Sequence, residues 1–172
     1  HSNQRTDSYG GSTENRGRFL LETLEAVRAV WPENRPLCAR FGVIEFDGQD
    51  TQTLAQSIEL VRKMKAVGLD FLDVSIGFST PQASVPWGPA FMAPYARKVR
   101  QEADIPVSTS WYISEGRQAD ALVRNDILDL VTLGRPLLAN PHWPWEAAKT
   151  LRSKTQESVL PPSYGWWLAR YQ

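Results

Sequence analysis

Pro36-Leu37-Cys38-Ala39-Arg40-Phe41-Gly42 and Phe71-Leu72-Asp73-Val74-Ser75-Ile76 are two short apolar runs bounded by proline, glycine and polar residues. Between them Leu54, Ile58, Leu60, Val61 and Met64 recur at helical spacing, so the segment reads strand, amphipathic helix, strand. Asp50 or Thr51 offers a short side-chain oxygen to the orphan N–H groups of that helix's first turn, and Gly68 ends it. Toward the amino end, Phe19, Leu20, Leu24, Val27 and Val30 mark a helix from Glu14 to Val30 that stops near Pro32. Toward the carboxyl end come a Gly/Ser/Pro-rich loop from Gly77 to Pro89, a helix from about Ala90 to Ala103 and a third strand from Val107 to Trp111. A helix from about Gly116 to Val123, a fourth strand from Leu128 to Leu133 and a short helix around Trp145 to Leu151 complete the pattern.

Apolar strands each followed by an amphipathic helix specify a parallel sheet with helices on its outer face, an α/β fold. No strand runs into a Gly-x-Gly-x-x-Gly turn, which removes the dinucleotide-binding open sheet and favours the TIM (β/α)8 barrel. A complete barrel takes eight βα units and about 250 residues. The 172 residues here form one domain and supply four strands, half a barrel. Leu37, Phe41, Leu72, Val74, Val107 and Leu130 are expected to point into the barrel, where an isolated half would expose them to water. At about 25 cal/mol per Å², several hundred Å² of such surface costs on the order of 10 kcal/mol, so the half alone is expected to be unstable.

Composition narrows the function. A 42% hydrophobic and 22% charged chain is globular, and nineteen basic against nineteen acidic side chains leave no global field for nucleic acid or an anionic membrane. The only cysteine, Cys38, cannot form an internal disulfide and is expected to fill core on its apolar strand. No apolar stretch approaches bilayer length, and no leader opens the chain, so a cytoplasmic location is expected. His1 and His142 have no metal-ligand companion at usable spacing, and no metal site is expected.

Three groups of residues carry possible chemistry. Gly134-Arg135-Pro136 follows the last strand, where barrels hold phosphate, and reads either as a phosphate nest or as a plain turn. Arg40 sits near the carboxyl end of an apolar strand; it either pairs with an acid such as Asp73 or aims its donor fork at an anionic or electron-rich ligand. Trp111, and Trp166-Trp167 near Tyr164 and Tyr171, pack against protein or stack on a flat ligand. Trp87, Trp143 and Trp145, set among prolines, read as packing residues.

The opening stretch from His1 to Ser12, with Glu14-Asn15-Arg16, resembles a signature of the Old Yellow Enzyme family of FMN-dependent ene-reductases. The resemblance continues through Ala39-Arg40-Phe41-Gly42, Val85-Pro86-Trp87-Gly88-Pro89, Leu133-Gly134-Arg135-Pro136 and Asn140-Pro141-His142-Trp143. Pro162-Ser163-Tyr164-Gly165-Trp166-Trp167-Leu168 is similar to the carboxyl terminus of the xenobiotic reductase branch. It makes this chain the C-terminal half of an FMN-binding TIM-barrel oxidoreductase.

The resemblance implies FMN as cofactor, NADPH or NADH as reductant, and hydride transfer from reduced flavin to an activated alkene, an enone or other xenobiotic. Arg40 matches the arginine beside the flavin pyrimidine, and Gly134 and Arg135 the pair that holds the phosphate. Trp111 matches the tryptophan beside flavin and substrate. Trp167 matches the terminal tryptophan that enters a neighbouring subunit's site in a homo-oligomer. Where the branch carries glycines, this chain has Trp111-Tyr112-Ile113-Ser114-Glu115, and the Ser114 hydroxyl offers the phosphate one hydrogen bond. The family's acid-base residues belong to the missing N-terminal half-barrel. The alternative function is a truncated or split, non-catalytic flavin-binding or assembly module.

Overall fold

The computed structural model describes residues 2–170. The elements run α1 (Thr13–Val30), β1 (Cys38–Ile44), α2 (Asp50–Ala66), β2 (Phe71–Ile76), α3 (Ala93–Ala103), β3 (Val107–Thr109) and α4 (Gly116–Arg124). Three short helices follow, α5 (Arg135–Ala139), α6 (Trp143–Thr150) and α7 (Pro162–Leu168), with one 3-10 turn, Gln156–Val159, before the last. The strands form one parallel sheet in the order β1-β2-β3, as sequential strand-helix-strand crossovers require.

Local chemistry sets the boundaries. Ser12 Oγ accepts the Asn15 N–H at 3.2 Å and starts α1. The expected capping by Asp50 or Thr51 does not occur: α2 has no side-chain cap, and the Asp50 carboxylate instead accepts the Phe46 N–H at 2.7 Å, tying the end of the β1 loop to the helix. The third helix begins at Ala93 rather than Ala90, because Ala90 has left-handed backbone, φ 52°, which no α-helix accommodates. β1 continues through Gly42 to Ile44, two residues beyond its expected end. A Cβ on Gly42 would lie 2.5 Å from Gly77 Cα, so glycine serves the close approach of two backbones rather than a stop.

Two expected strand features are corrected. β3 ends at Thr109, because Trp111 and Tyr112 take positive φ values of 23° and 58° and turn the chain out of the sheet. Residues 128–133 run beside β3 without forming a regular strand. The N–H groups of Asp129 and Leu130 both point at the Val107 carbonyl, at 3.0 and 3.3 Å, before Thr132 N–H reaches the Thr109 carbonyl at 3.1 Å. Two residues facing one is the geometry of a bulge, and it breaks the ladder.

The register reverses the expected inward face. Arg40 pairs with Asp73 and Asp73 with Ser108, whereas Ala39-Leu72-Val107 and Phe41-Val74-Thr109 form the neighbouring rows on the opposite face. Leu72, Val74 and Val107 are fully buried in the cluster with Ile58, Val61 and Met64 of α2 and Ala96 and Val99 of α3. They face the helices, not the barrel interior. Thr109, buried among them, satisfies its hydroxyl on the Val74 carbonyl at 2.7 Å. Of the residues expected inside, Leu130 does face solvent, 59% exposed. Cys38 shares the face of Arg40 and is exposed, so it does not fill core. Leu72, Val74 and Val107 are therefore covered by this chain's own helices, while Leu130 on the far segment and Phe19, Val27 and Val30 of α1 stay exposed.

At the opposite end of the sheet, Asp129 accepts from Arg100 Nε and Nη2 at 2.9 and 3.1 Å and from the Val107 N–H at 2.9 Å. Burial works against ionisation of this carboxyl, but the Arg100 and Val107 hydrogen bonds outweigh it and hold the group below the ordinary 3.8.

Leu72→Ala should cost about 2–5 kcal/mol in urea unfolding, whereas Cys38→Ala should stay within about 0.5 kcal/mol. Equal costs would place the two on equivalent faces. A folded pKa below the unfolded one means that Asp129 stabilises above about pH 4 and loses that contribution as pH falls through its folded value. Asp129→Asn should accordingly lower Tm at pH 7 and flatten the fall of Tm below pH 4.

Candidate functional site

The inner face of the sheet carries a polar row. The Ser108 hydroxyl donates to Asp73 Oδ1 at 2.8 Å, and the Thr132 hydroxyl lies 3.2 Å from that oxygen and 2.9 Å from Ser108 Oγ. Arg40 Nε stands 3.6 Å from Asp73 Oδ2, while its Nη2 donates to Ser75 Oγ at 3.2 Å. Trp111 Nε1 donates to the same Ser75 oxygen at 3.4 Å. Arg40 pairs with Asp73, and its side chain remains 54% exposed.

Above this row, at the carboxyl end of the strands, lies a cavity of about 200 Å³. Arg40, Trp111, Tyr112, Thr132, Gly134 and Arg135 are among its lining residues. Residues from β1, from the turn after β3 and from the start of α5 thus meet at one opening. A Cβ built on Gly134 meets nothing within 4 Å, so the space over its backbone is open to a ligand. Arg135 has no carboxylate partner among the described residues; its guanidinium lies over the Tyr112 ring, 5.6 Å from the centroid. Two cations against the single carboxylate of Asp73 leave the cavity positive, a setting for an anionic ligand.

Aromatic rings flank the cavity. Trp111 lies 5.5 Å from Phe78, 5.7 Å from Trp87 and 6.1 Å from Phe91, and Phe78 stacks on Trp87 at 6.4 Å. The loop carrying Phe78 and Trp87 is latched by the buried Glu45, whose carboxylate accepts the Ser79 N–H at 2.9 Å and the Ser79 hydroxyl at 2.7 Å. A side chain at Gly77 would have to displace that carboxylate, which is what latches the loop where it leaves β2.

Of the sequence-derived candidates, Arg40, Trp111, Gly134 and Arg135 come together in this cavity. Ser114 does not: its N–H donates to Gln118 Oε1 at 3.1 Å, its carbonyl accepts from Trp143 Nε1 at 2.6 Å, and it lines a separate groove with Glu115 and Arg117. Trp167 lies on α7, 69% exposed, with its ring edge-on to Trp166 at 4.6 Å, away from the cavity. His1 and Tyr171 lie outside the described residues. Asp73 was foreseen as the partner of Arg40, and Trp87 as a packing residue; the tie of Asp73 to Ser108 and Thr132 was not. Its signal was Asp73-x-Ser75 and Ser108-x-Ser110, polar residues at every second position of two apolar strands.

Among the described residues no three His, Cys, Asp or Glu side chains cluster to hold a metal, and no helix is long and apolar enough to cross a membrane.

Comparisons with known proteins converge on one group. Residues 1–154 match the model of the NADH:flavin oxidoreductase / NADH oxidase family. An NADPH dehydrogenase of Geobacillus thermodenitrificans (strain NG80-2) is 42% identical over 158 residues, covering 92% of this chain and 45% of the relative. Another, of Halalkalibacterium halodurans, is 39% identical, covering 87% and 43%. The chain spans less than half the length of these curated relatives. Among solved structures, a 6-hydroxypseudooxynicotine amine oxidase from Pseudomonas geniculata N1 superposes with a TM-score of 0.70 at 28% identity, covering 87% of this chain and 23% of the other. A histamine dehydrogenase from Rhizobium sp. 4-9 superposes at 0.69 and 27% identity, with 87% and 22% covered. The parallel sheet, outer helices and polar inner face are those of part of a TIM barrel.

Proposed function

Because the chain belongs to the NADH:flavin oxidoreductase / NADH oxidase family, we propose that it supplies the phosphate-holding half of an NADPH-dependent FMN enzyme of ene-reductase type. The observation that carries this reading is the convergence of Arg40 from β1 and Arg135 from the start of α5 on one positive cavity also lined by Trp111.

The residues present fit FMN. Arg135 is a cation with no carboxylate to displace, and the open approach over Gly134 admits a bulky dianion to backbone distance. Arg40 brings a second cation at the other side of the opening, and Trp111 offers an aromatic face between them. Bound flavin would supply the hydride chemistry, taking electrons from NADPH and delivering hydride to an activated alkene such as an enone. Everything else falls to the protein. Arg135 and Gly134 bind the phosphate. Arg40, held by Asp73 and Ser75 in a fixed orientation, contributes positive charge that favours the negative charge added on reduction. Trp111, pinned through Ser75, walls the substrate side and excludes water.

The residues that bind and protonate the alkene are proposed to come from the remaining half-barrel, and Trp167 from α7 to enter a neighbouring subunit's pocket in a homo-oligomer. A non-catalytic flavin-binding module is the second reading. It is favoured by the cavity lining, which holds arginines and aromatic rings but no histidine among the described residues. FMN binding without NADPH-driven enone reduction, after the chain is assembled with the rest of a barrel, would select it.

Arg135→Ala should weaken FMN about ten- to hundredfold, the worth of a charged hydrogen-bonded contact, and leave riboflavin affinity unchanged. Loss of both affinities together would move the phosphate elsewhere. Arg40→Met should lower the flavin midpoint potential in the assembled enzyme by roughly 30 mV, equivalent to about 1.4 kcal/mol for two electrons. An unshifted potential would leave Arg40 a purely structural partner of Asp73.

A further inference from the structure

We propose that Tyr112 is a positioning residue for Arg135, its ring serving as an uncharged platform that holds the guanidinium ready for a phosphate dianion. The inference rests on the flavin-phosphate reading above and adds to it a residue that contributes no charged contact of its own.

The backbone makes the first case. Tyr112 stands in left-handed conformation, φ 58°, immediately after Trp111 at φ 23°. A glycine would take this turn without penalty; a tyrosine takes it under strain, and the contacts of its peptide and ring hold it there. The strained peptide is held from two directions. Its carbonyl accepts the Ala90 N–H at 3.2 Å and Gln118 Nε2 at 3.0 Å, one group from the β2–α3 loop and one from α4. With the backbone fixed, the ring has one place to go. It packs 6.0 Å from Trp87 and 6.4 Å from Phe91 and lies under the Arg135 guanidinium at 5.6 Å.

The chemistry makes the second case. Arginine carries much rotamer freedom, and freezing it on binding costs affinity unless it is already ordered. A carboxylate partner would order it but would also neutralise it and compete with the incoming anion. An aromatic face orders a guanidinium through its quadrupole and supplies no negative charge. Arg135 has such a face and no carboxylate among the described residues, whereas Arg40, its companion across the cavity, is held by Asp73. The two cations of one opening are thus ordered by different means: the paired one is partly neutralised, and the ring-supported one keeps its full charge for the more highly charged end of the ligand. Half-exposed and lining the cavity, the Tyr112 ring leaves the outer edge of the guanidinium free for that contact.

The test is the ratio of FMN to riboflavin affinity, measured by flavin fluorescence on the chain of residues 1–172, since the ratio isolates the phosphate contribution. Tyr112→Leu keeps the β-carbon, and hence the backbone strain, while removing the ring. It should reduce the ratio about two- to fivefold, the range of an exposed cation–π contact, with riboflavin affinity unchanged. Tyr112→Phe should retain the full ratio, and Tyr112→Leu added to Arg135→Met should change nothing beyond Arg135→Met alone. Should Tyr112→Leu not fold, Tyr112→Met takes its place with the same expectation. A ratio that collapses in Arg135→Met but survives in Tyr112→Leu overturns the platform and leaves the phosphate reading standing. A ratio untouched by Arg135→Met removes the phosphate reading and the platform with it. Equal losses in Tyr112→Leu and Tyr112→Phe would assign the effect to the phenol hydroxyl and overturn the ring.

Discussion

The row Arg40, Asp73, Ser108, closed by Thr132, is the constraint on which the rest of the structure depends. In a parallel sheet each residue's neighbour across the ladder lies on the same face, so one charged residue commits the whole row. Asp73 on β2 is the less exposed of the pair and is the group that needs partners: Arg40 on β1 stands beside it, and Ser108 and Thr132 hydrogen-bond its Oδ1. Once these occupy the inner face, Ala39, Leu72 and Val107 are turned to the helices, and the apolar core has to form there. A slip of one residue on β2 would put Leu72 opposite Arg40 and leave the guanidinium without a partner.

The second constraint lies where the chain leaves the sheet. Gly77 clears the Glu45 carboxylate, Glu45 holds Ser79, and the loop beyond brings Phe78 and Trp87 against Trp111. On the other side of the opening, left-handed backbone at Trp111 and Tyr112 ends β3 early and swings both rings toward the cavity. Arg40 in the first half of β1 and Arg135 in the first turn of α5 supply the charges, and loops supply the aromatic surface.

The architecture was legible in the sequence wherever periodicity or a local breaker spoke. α2 and β2 fall where apolar spacing put them, because each buries its apolar residues and stops where they end; α1 also forms where expected, but of its apolar stripe only Leu24 is buried, while Phe19, Val27 and Val30 stay exposed. Face parity was not legible in short apolar strands. Leu37, Phe41, Leu72 and Val74 fit the interior of a barrel as well as its helical coat, and the decisive clue was the charged and hydroxyl residue recurring between them. Nor was the bulge at Asp129 and Leu130, since two N–H groups sharing the Val107 carbonyl leave no mark on composition. At the site, residue type singled out Arg40, Gly134 and Arg135, and the fold gathers them at one cavity; β1 runs on to Ile44, so Arg40 stands in the first half of its strand rather than near the carboxyl end. Ser114 was read as offering its hydroxyl to a phosphate, but the positive-φ turn at Trp111 and Tyr112 carries the chain on into the next groove, where Trp143 holds the Ser114 carbonyl.

That a half-barrel can carry a formed site follows from where its two kinds of contact lie. The apolar contacts that fix the strands run outward, from sheet to α2 and α3, and need nothing from across the barrel. The polar contacts that aim the site residues run sideways, from β1 to β2 to β3 to Thr132, and need only the adjacent strand. Neither set crosses the barrel axis. What the missing strands would add is a wall facing Arg40 and Trp111, pairing for the open edge of β1 and enclosure from water. Enclosure matters because an arginine–anion contact weakens steeply as the effective dielectric rises. The contacts that orient Arg40 and pack the strands are thus complete within the strands present, and closing a barrel would change the dielectric around Arg40 and Arg135 rather than those contacts.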